Sequence, residues 1–285
     1  MPADTNTDVE FQFNPRRAVA NVDAFAARAA ELSRQTRARR EARLDLRYDA
    51  GPLGTLDVFS AVGAGQDVHV YLHGGYWRGR DKSDYSYVAD ALVPLGITTV
   101  VLNYDLCPSV ELPQIVAQVR TAFQWVASHL GELGGGARGF TASGHSAGAH
   151  LIAAALSGLA HDEPPPPWAP RAAVLVSGIY ELEPVLSISV NEEIRLRAEQ
   201  VDAMSPMRHP PHPGVPLFIV VGGGETAGFI DQSRRFAQVC VAQGSAAAYA
   251  EIPARDHYSI MQLLERPDDL LSRLIAGAAA QPLNP

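Results

Sequence analysis

Thr141-Ala142-Ser143-Gly144-His145-Ser146-Ala147-Gly148-Ala149-His150 is the stretch whose reading decides the fold. It contains a G-x-S-x-G pentapeptide, Gly144 to Gly148, with an apolar lead-in (Phe140, Ala142) and a helical run behind it from Ala149 to Leu156. A strand that turns at once into a helix must turn sharply. The serine at that corner takes a strained backbone and lifts its hydroxyl above the sheet edge. The glycines two before and two after stand where a Cβ would clash with the neighbouring strand and helix. Alone, the pentapeptide is equally a plain Gly/Ser strand–helix turn. The remaining residues must supply the partners Ser146 would need.

The chain on either side alternates between strand and helix patterns. Residues 1–15 read as a floppy lead. Val22 to Arg40 places Val22, Phe25, Ala26, Ala29 and Leu32 at helical spacing, and its Arg34, Arg37, Arg39 and Arg40 read as a solvated face near the helix end. Ala42–Tyr48, with Leu44, Leu46 and Tyr48 on one face, and Thr55–Phe59 read as an antiparallel pair at a sheet edge. Val68–Leu72 is a third strand. Then follow a helix over Asp84–Leu95, a strand over Thr98–Leu102 and a long helix over Pro113–Leu130. Gly139–Ser143 feeds the corner and Ala147–Leu159 leaves it. Ala172–Ser177, Leu217–Val221 and Ala247–Ile252 are late strands, and Tyr258–Ala276 is a helical pattern broken near Pro267. Continuous apolar strands between helices imply a mostly parallel sheet covered on both faces, with an antiparallel N-terminal edge. Glu181–Met207 is too long for a simple connection, so it is read as a crossover helix that also caps the sheet.

Composition narrows the function. The chain has 285 residues, 47% hydrophobic and 19% charged, which is ordinary globular composition. A net charge of −8 argues against nucleic acid and against an anionic membrane surface. No apolar run reaches the roughly 20 residues of a membrane-spanning helix. Met1 to Glu10 is polar and acidic, so a signal peptide is not expected and the cytoplasm is the expected location. Cys107 and Cys240 are far apart and read as two buried thiols, with neither a disulfide nor a Cys metal site.

A serine hydroxyl needs a base within reach and a third group to orient that base. In open parallel sheets such groups arrive on loops at the carboxyl ends of strands. Glu225 follows the Leu217–Val221 strand through Gly222-Gly223-Gly224. His257 follows the Ala247–Ile252 strand through Pro253-Ala254-Arg255-Asp256. Ser146, Glu225, His257 is the nucleophile–acid–base order of α/β-hydrolases. Asp231 lies too far into the following helix, and Asp256 is a sequence neighbour of the base. His145 and His150 read as groups that shape the corner. The oxyanion of an acyl-transfer intermediate needs N–H donors, each contributing roughly 3–4 kcal/mol to the barrier. Ala147 offers one. His73-Gly74-Gly75-Tyr76-Trp77, placed after the third strand, offers the others, with His73 bracing the loop.

That loop, with Asp81-Lys82-Ser83-Asp84 behind it, resembles the HGGxW signature of kynurenine formamidases (arylformamidases). These are relatives of the hormone-sensitive-lipase-type esterases, whose loop reads HGGG; here Tyr76 stands in the third-glycine place. Phe13-Asn14-Pro15-Arg16, Leu56-Asp57-Val58-Phe59, Asn103 to Pro108, Ser177 to Leu182, Asn191 through Ser205-Pro206, and Gly224-Glu225 with Phe229 and Gln232-Ser233 are also similar to that family. The resemblance implies one α/β-hydrolase domain over 1–285, with an N-terminal extension over 1–41 and a cap or crossover segment over 181–207. It implies a triad of Ser146, Glu225 and His257, and an oxyanion hole from the amides of Gly75, Tyr76 and Ala147, with Gly74 as an alternate. The family acid is often Asp, so Glu225 is a departure that a shifted loop would accommodate.

The expected chemistry is hydrolysis of a small acyl amide or ester without metal or cofactor, with an N-formyl aryl amine as the first substrate class. Trp77, Tyr104 and Tyr180, on loops at strand ends, are the candidates for aromatic walls. A carboxylesterase for short acyl or aryl esters keeps the same triad with another substrate. A hydrolase-fold protein that only binds is the alternative from another class. Assembly as a homodimer stays open.

Overall fold

The computed structural model describes residues 8–62 and 66–280. The elements in chain order are α1 Val9–Phe13, α2 Pro15–Ala18, α3 Val22–Arg39, β1 Arg43–Arg47, β2 Thr55–Phe59, β3 Gln66–Leu72, α4 Val88–Leu92, β4 Ile97–Leu102, α5 Leu112–Ser128 and β5 Gly135–His145. They continue as α6 Ala147–Leu156, β6 Ala173–Val176, α7 Asn191–Ile194, α8 Ala198–Met204, β7 Leu217–Gly222, α9 Ala227–Ala242, β8 Ala247–Ile252 and α10 Leu270–Ala280.

The strands form an eight-stranded sheet in the order β1-β2-β4-β3-β5-β6-β7-β8. β2 is antiparallel to both its neighbours, and every pair from β4 through β8 is parallel. The pleat sends alternate side chains to opposite faces. Val70, Leu72, Val100 and Leu102 join the core built with α5, α6 and α9, while Tyr71 and Val101 join the core built with α4 and α10. Burial on both faces explains why β4 reads as six consecutive buried residues. Among the described residues no helix is long and apolar enough to cross a membrane.

Several expected elements differ in detail. The lead is partly ordered: Asp8 Oδ1 accepts from the amides of Glu10 and Phe11 and caps α1. Residues 1–7 lie outside the described residues. In β1 the register shifts between Arg43 and Leu46, and Asp45 adopts a φ of 55°. That irregularity turns Leu44 out to solvent, so it does not share a face with Tyr48. The helix expected over 84–95 is three pieces: a 3₁₀ turn Lys82–Tyr85, α4, and a 3₁₀ turn Val93–Leu95 containing Pro94. The 181–207 segment holds a 3₁₀ turn Glu183–Ser187 and the short helices α7 and α8, with no long crossover helix among the described residues. Arg197 of this segment pairs with Glu111 at the start of α5 at 2.6 Å.

The arginines of α3 divide by burial. Arg34 pairs on the surface with Glu31, whereas Arg37 reaches the fully buried Asp57 of β2. Asp57 also accepts from Lys82 Nζ at 2.9 Å and from the Asp45 amide at 2.9 Å. Lys82 is itself buried, so α3, β1, β2 and the loop behind Trp77 share one ionic cluster. Removing one partner of such a cluster leaves charge buried without compensation. Asp57→Ala should therefore destabilise the fold by about 3–5 kcal/mol, read as a fall in the urea midpoint. Glu31→Ala should leave that midpoint nearly unchanged, and equal effects of the two would refute the assignment of the cluster.

Candidate active site

Ser146 stands between the end of β5 and the first residue of α6, with φ 54° and ψ −117°. An L-residue adopts this backbone only when its surroundings enforce it. Here the enforcement is lack of space. A Cβ on Gly148 would meet Leu72 O at 2.2 Å, and one on Gly144 would meet the Gly148 carbonyl carbon at 2.4 Å. The Ser146 amide donates to Val176 O at 2.9 Å, which ties the corner to β6.

His257 and Glu225 arrive from the loops after β8 and β7. Ser146 Oγ lies 3.0 Å from His257 Nε2, and His257 Nδ1 lies 2.7 Å from Glu225 Oε2. Because the carboxylate can only accept, Nδ1 carries the proton and Nε2 presents its lone pair to the serine. Glu225 Oε1 accepts from the Gly222 amide at 2.8 Å and from the Ser177 hydroxyl. The carboxylate is thus buried but fully engaged. A Cβ on Gly222 would sit 2.1 Å from Arg255 O, so the acid and base loops touch without room for a side chain. Asp231 pairs with Arg235 on the surface of α9. Asp256 Oδ1 accepts from the amides of Tyr258 and Ser259 at 2.9 and 2.8 Å and shapes the following turn.

The loop after β3 lies against this corner. Gly75, Tyr76 and Trp77 all have positive φ, at 121°, 50° and 55°. A Cβ on Gly75 would meet Gly79 O at 2.3 Å. Gly74, Gly75 and Tyr76 border the same cavity as Ser146. Ala147 opens α6, where a backbone N–H has no intrahelical acceptor. His73 braces the loop: its ring stacks on Tyr104 at 4.4 Å, and its Nε2 donates to Asn103 Oδ1 at 3.0 Å. Asn103 Nδ2 donates in turn to Asp81 at 2.7 Å. His145 Nε2 lies 2.8 Å from the His257 carbonyl oxygen and must donate to it. Burial holds the His145 ring well below the usual histidine range, and the nearby His257 adds to this, so it is neutral. His150 Nε2 donates to Met204 O at 2.8 Å.

A cavity of about 450 Å³ opens over Ser146 and His257. Its aromatic wall is Phe25, Tyr85, Tyr87 and Tyr258, and its charged residues are Arg16, Asp23, Arg78, Arg80 and Asp84. Arg16 is paired with Asp23, and Arg78 with Glu193. Arg80 and Asp84 have no side-chain ion pair among the described residues. The aromatic residues expected here are elsewhere. Trp77, Tyr104 and Tyr180 are fully buried and none borders the cavity. Trp77 packs edge-on against His150 at 4.8 Å, Tyr104 donates to His73 O at 2.7 Å, and Tyr180 stacks on Phe236 at 3.9 Å. A loop at a strand end can turn its side chains into the core as readily as outward, and the left-handed backbone at Trp77 turns this one inward. Phe25 carries the opposite lesson: the apolar stripe of α3, read from the sequence only as helical spacing, lines the cavity in its first turns. Among the described residues no three His, Cys, Asp or Glu side chains are arranged to hold a metal ion.

Residues 69–261 match the family model described as alpha/beta hydrolase fold. The chain is similar to the kynurenine formamidase of Danio rerio, 29% identical over 94% of each chain. It is also similar to that of Salmo salar, 30% identical over 81% of this chain and 80% of the relative. Among solved structures it is similar to a protein from Silicibacter sp. TM1040 named as a candidate thioesterase. That similarity has 25% identity, covers 94% of this chain and 98% of that one, and gives a TM-score of 0.82.

The buried histidines around the site make stability depend on pH. Burial pushes His69, which bridges Thr141 and Ser143, down to about 3, and His150 down to about 4. A ring kept neutral in the fold but free to protonate when unfolded stabilises fully above the usual histidine value. That contribution fades as pH falls toward the folded value. From pH 7 to pH 5 each ring should withdraw about 2 kcal/mol of unfolding free energy. Urea unfolding at the two pH values checks this, and an unchanged midpoint would overturn it.

Proposed function

The chain belongs to the α/β-hydrolase fold family, to its kynurenine-formamidase branch, and is a hydrolase; from that premise we propose that it deformylates an N-formyl aryl amine through Ser146, His257 and Glu225. The observation that carries the reading is the continuous hydrogen-bonded run from Ser146 Oγ to Glu225, lying at the floor of an aromatic-walled cavity. His257 Nε2 takes the hydroxyl proton as Ser146 Oγ attacks the formyl carbon. Glu225 holds the His257 tautomer and stabilises the imidazolium. The amides of Ala147, Tyr76 and Gly75, with Gly74 as alternate, receive the oxyanion, each contributing about 3–4 kcal/mol. His257 then protonates the departing amine nitrogen. Water, deprotonated by His257, attacks the formyl ester and releases formate and the free serine.

Phe25, Tyr85 and Tyr258 suit an aryl leaving group. Arg80 and Asp84 are opposite charges of the cavity with no ion pair among the described residues, and they suit the carboxylate and ammonium of an amino-acid head on that aryl group. Ser146→Ala should lower kcat by about 10⁶-fold with the fold retained. The decisive comparison is kcat/KM for N-formylkynurenine against a p-nitrophenyl ester. Absence of any formamide turnover beside active ester hydrolysis would replace this reading with a carboxylesterase. Failure of a fluorophosphonate to label Ser146 in folded protein would leave only a binding role. Arg80→Met should raise KM for the carboxylate-bearing formamide by about 10-fold or more while sparing unsubstituted formanilide. An equal rise for both would remove Arg80 from carboxylate recognition.

A further inference from the structure

We infer that the N-terminal segment Val9–Ala18, which precedes residues 69–261 matched by the fold-family model, is a positioning element that locks the Tyr76 loop to the Glu225 loop. A five-residue helix leaves its last carbonyls without intrahelical donors. In α1 two of these are taken by hydroxyls from opposite sides of the site. Tyr76 Oη donates to Phe13 O, and Thr226 Oγ1 donates to Gln12 O at 2.6 Å. The two acceptors are consecutive in the chain, so the two loops are held one residue apart.

The Glu225 side of this lock is unusual. Thr226 is the N-cap residue of α9, a position where a threonine hydroxyl ordinarily serves its own helix. Here it makes no such cap. Gln12 supplies it instead: the Gly228 amide in the first turn of α9 donates to Gln12 Oε1 at 2.7 Å. The helix that starts directly after the acid is therefore capped by the N-terminal segment. Gly228 packs closely here: a Cβ there would lie 2.9 Å from the tip of the Phe13 ring. The Phe13 ring lies 6.1 Å from that of Phe229, which lies 4.7 Å from the His257 ring. Glu10 adds a third tie by accepting from Ser189 N and Ser189 Oγ, both at 2.7 Å.

On the Tyr76 side the lock acts on a backbone that needs support. Tyr76 is left-handed at φ 50°, in a loop whose amides must face the oxyanion. Its side chain is thus a positioning group even where its amide is a donor. Loosening either loop displaces the hole or the acid relative to Ser146, and a misplacement of about 1 Å costs about 10²-fold in rate. The inference rests on the proposed triad and hole but not on the substrate.

The test uses full-length protein with Tyr76→Phe, Thr226→Val and the double variant. Two rates are read: labelling of Ser146 by a fluorophosphonate, and hydrolysis of p-nitrophenyl acetate. Each single variant should slow labelling and kcat by about 10-fold, with KM within about twofold. The double variant should lose little more than the worse single one, because both bonds serve the same lock. Unchanged labelling in the single variants overturns the inference, and so do losses that multiply in the double variant. A purely structural role would lower the melting temperature without splitting kcat from KM. Should Tyr76→Phe fail to fold, Gln12→Ala removes the α9 cap alone and is held to the same outcome. If wild-type protein is not labelled at all, the triad reading fails and this inference falls with it.

Discussion

A contact with no room for a methyl group governs the site. Gly148 lies so close to the Leu72 carbonyl that a Cβ would sit 2.2 Å from its oxygen. That approach seats α6 on the junction of β3 and β5, where Leu72 and Gly144 are register partners. The strand leading into the serine corner and the strand leading into the Gly74–Tyr76 loop therefore end side by side. A second contact of the same kind joins the other two loops. Gly222 meets the Arg255 carbonyl, with Gly222 and Ile252 in register on β7 and β8. One glycine–carbonyl contact fixes Ser146 against the Gly74–Tyr76 loop, and the other fixes the Glu225 loop against the His257 loop. His145 connects the two pairs through its bond to the His257 carbonyl.

Burial then decides the charge state of each group. An ion removed from water is costly unless partners replace the water. Glu225 is nearly inaccessible, and its two oxygens are engaged by Gly222, Ser177 and His257. Among the described residues no carboxylate pairs with the buried His145, His150 or His69, and burial holds them neutral. Beside these three, His257 is the buried ring that faces a carboxylate. Asp57 repeats the pattern beneath α3, where Arg37 and Lys82 surround its buried carboxylate and Lys82 follows the loop that carries His73 to Trp77.

Much of this was legible in the sequence because it is local. Continuous apolar runs located the strands, and turn glycines located the corners. The likeness of His73–Trp77 to a formamidase loop agrees with the relatives found. What could not be read was the direction of loop side chains. Trp77 turns inward on a left-handed backbone, Tyr104 is drawn to His73, and Tyr180 is drawn to Phe236. Each direction is set by partners remote in sequence. The α3 stripe announced a helix but not the cavity, because an apolar face has the same period whether it covers a core or a cavity, and Phe25 covers a cavity.

The N-terminal helix shows why such gaps are physical rather than incidental. Five residues cannot sustain a helix in isolation, because nucleation costs more than one turn of hydrogen bonds returns. α1 exists because Thr226, Gly228, Tyr76 and Ser189 bind it, and no periodicity within Val9–Phe13 can announce that. The dependence runs both ways. Thr226 gives up capping its own helix, and Tyr76 occupies the third-glycine place with a phenol that reaches the Phe13 carbonyl. Seen locally, both are anomalies: a cap that does not cap and a bulky residue where glycine is easiest. Together they become consistent, since each hydroxyl satisfies a carbonyl that a short helix leaves open. The residue types at these positions are therefore dictated by the geometry of the site and not by the elements in which they lie.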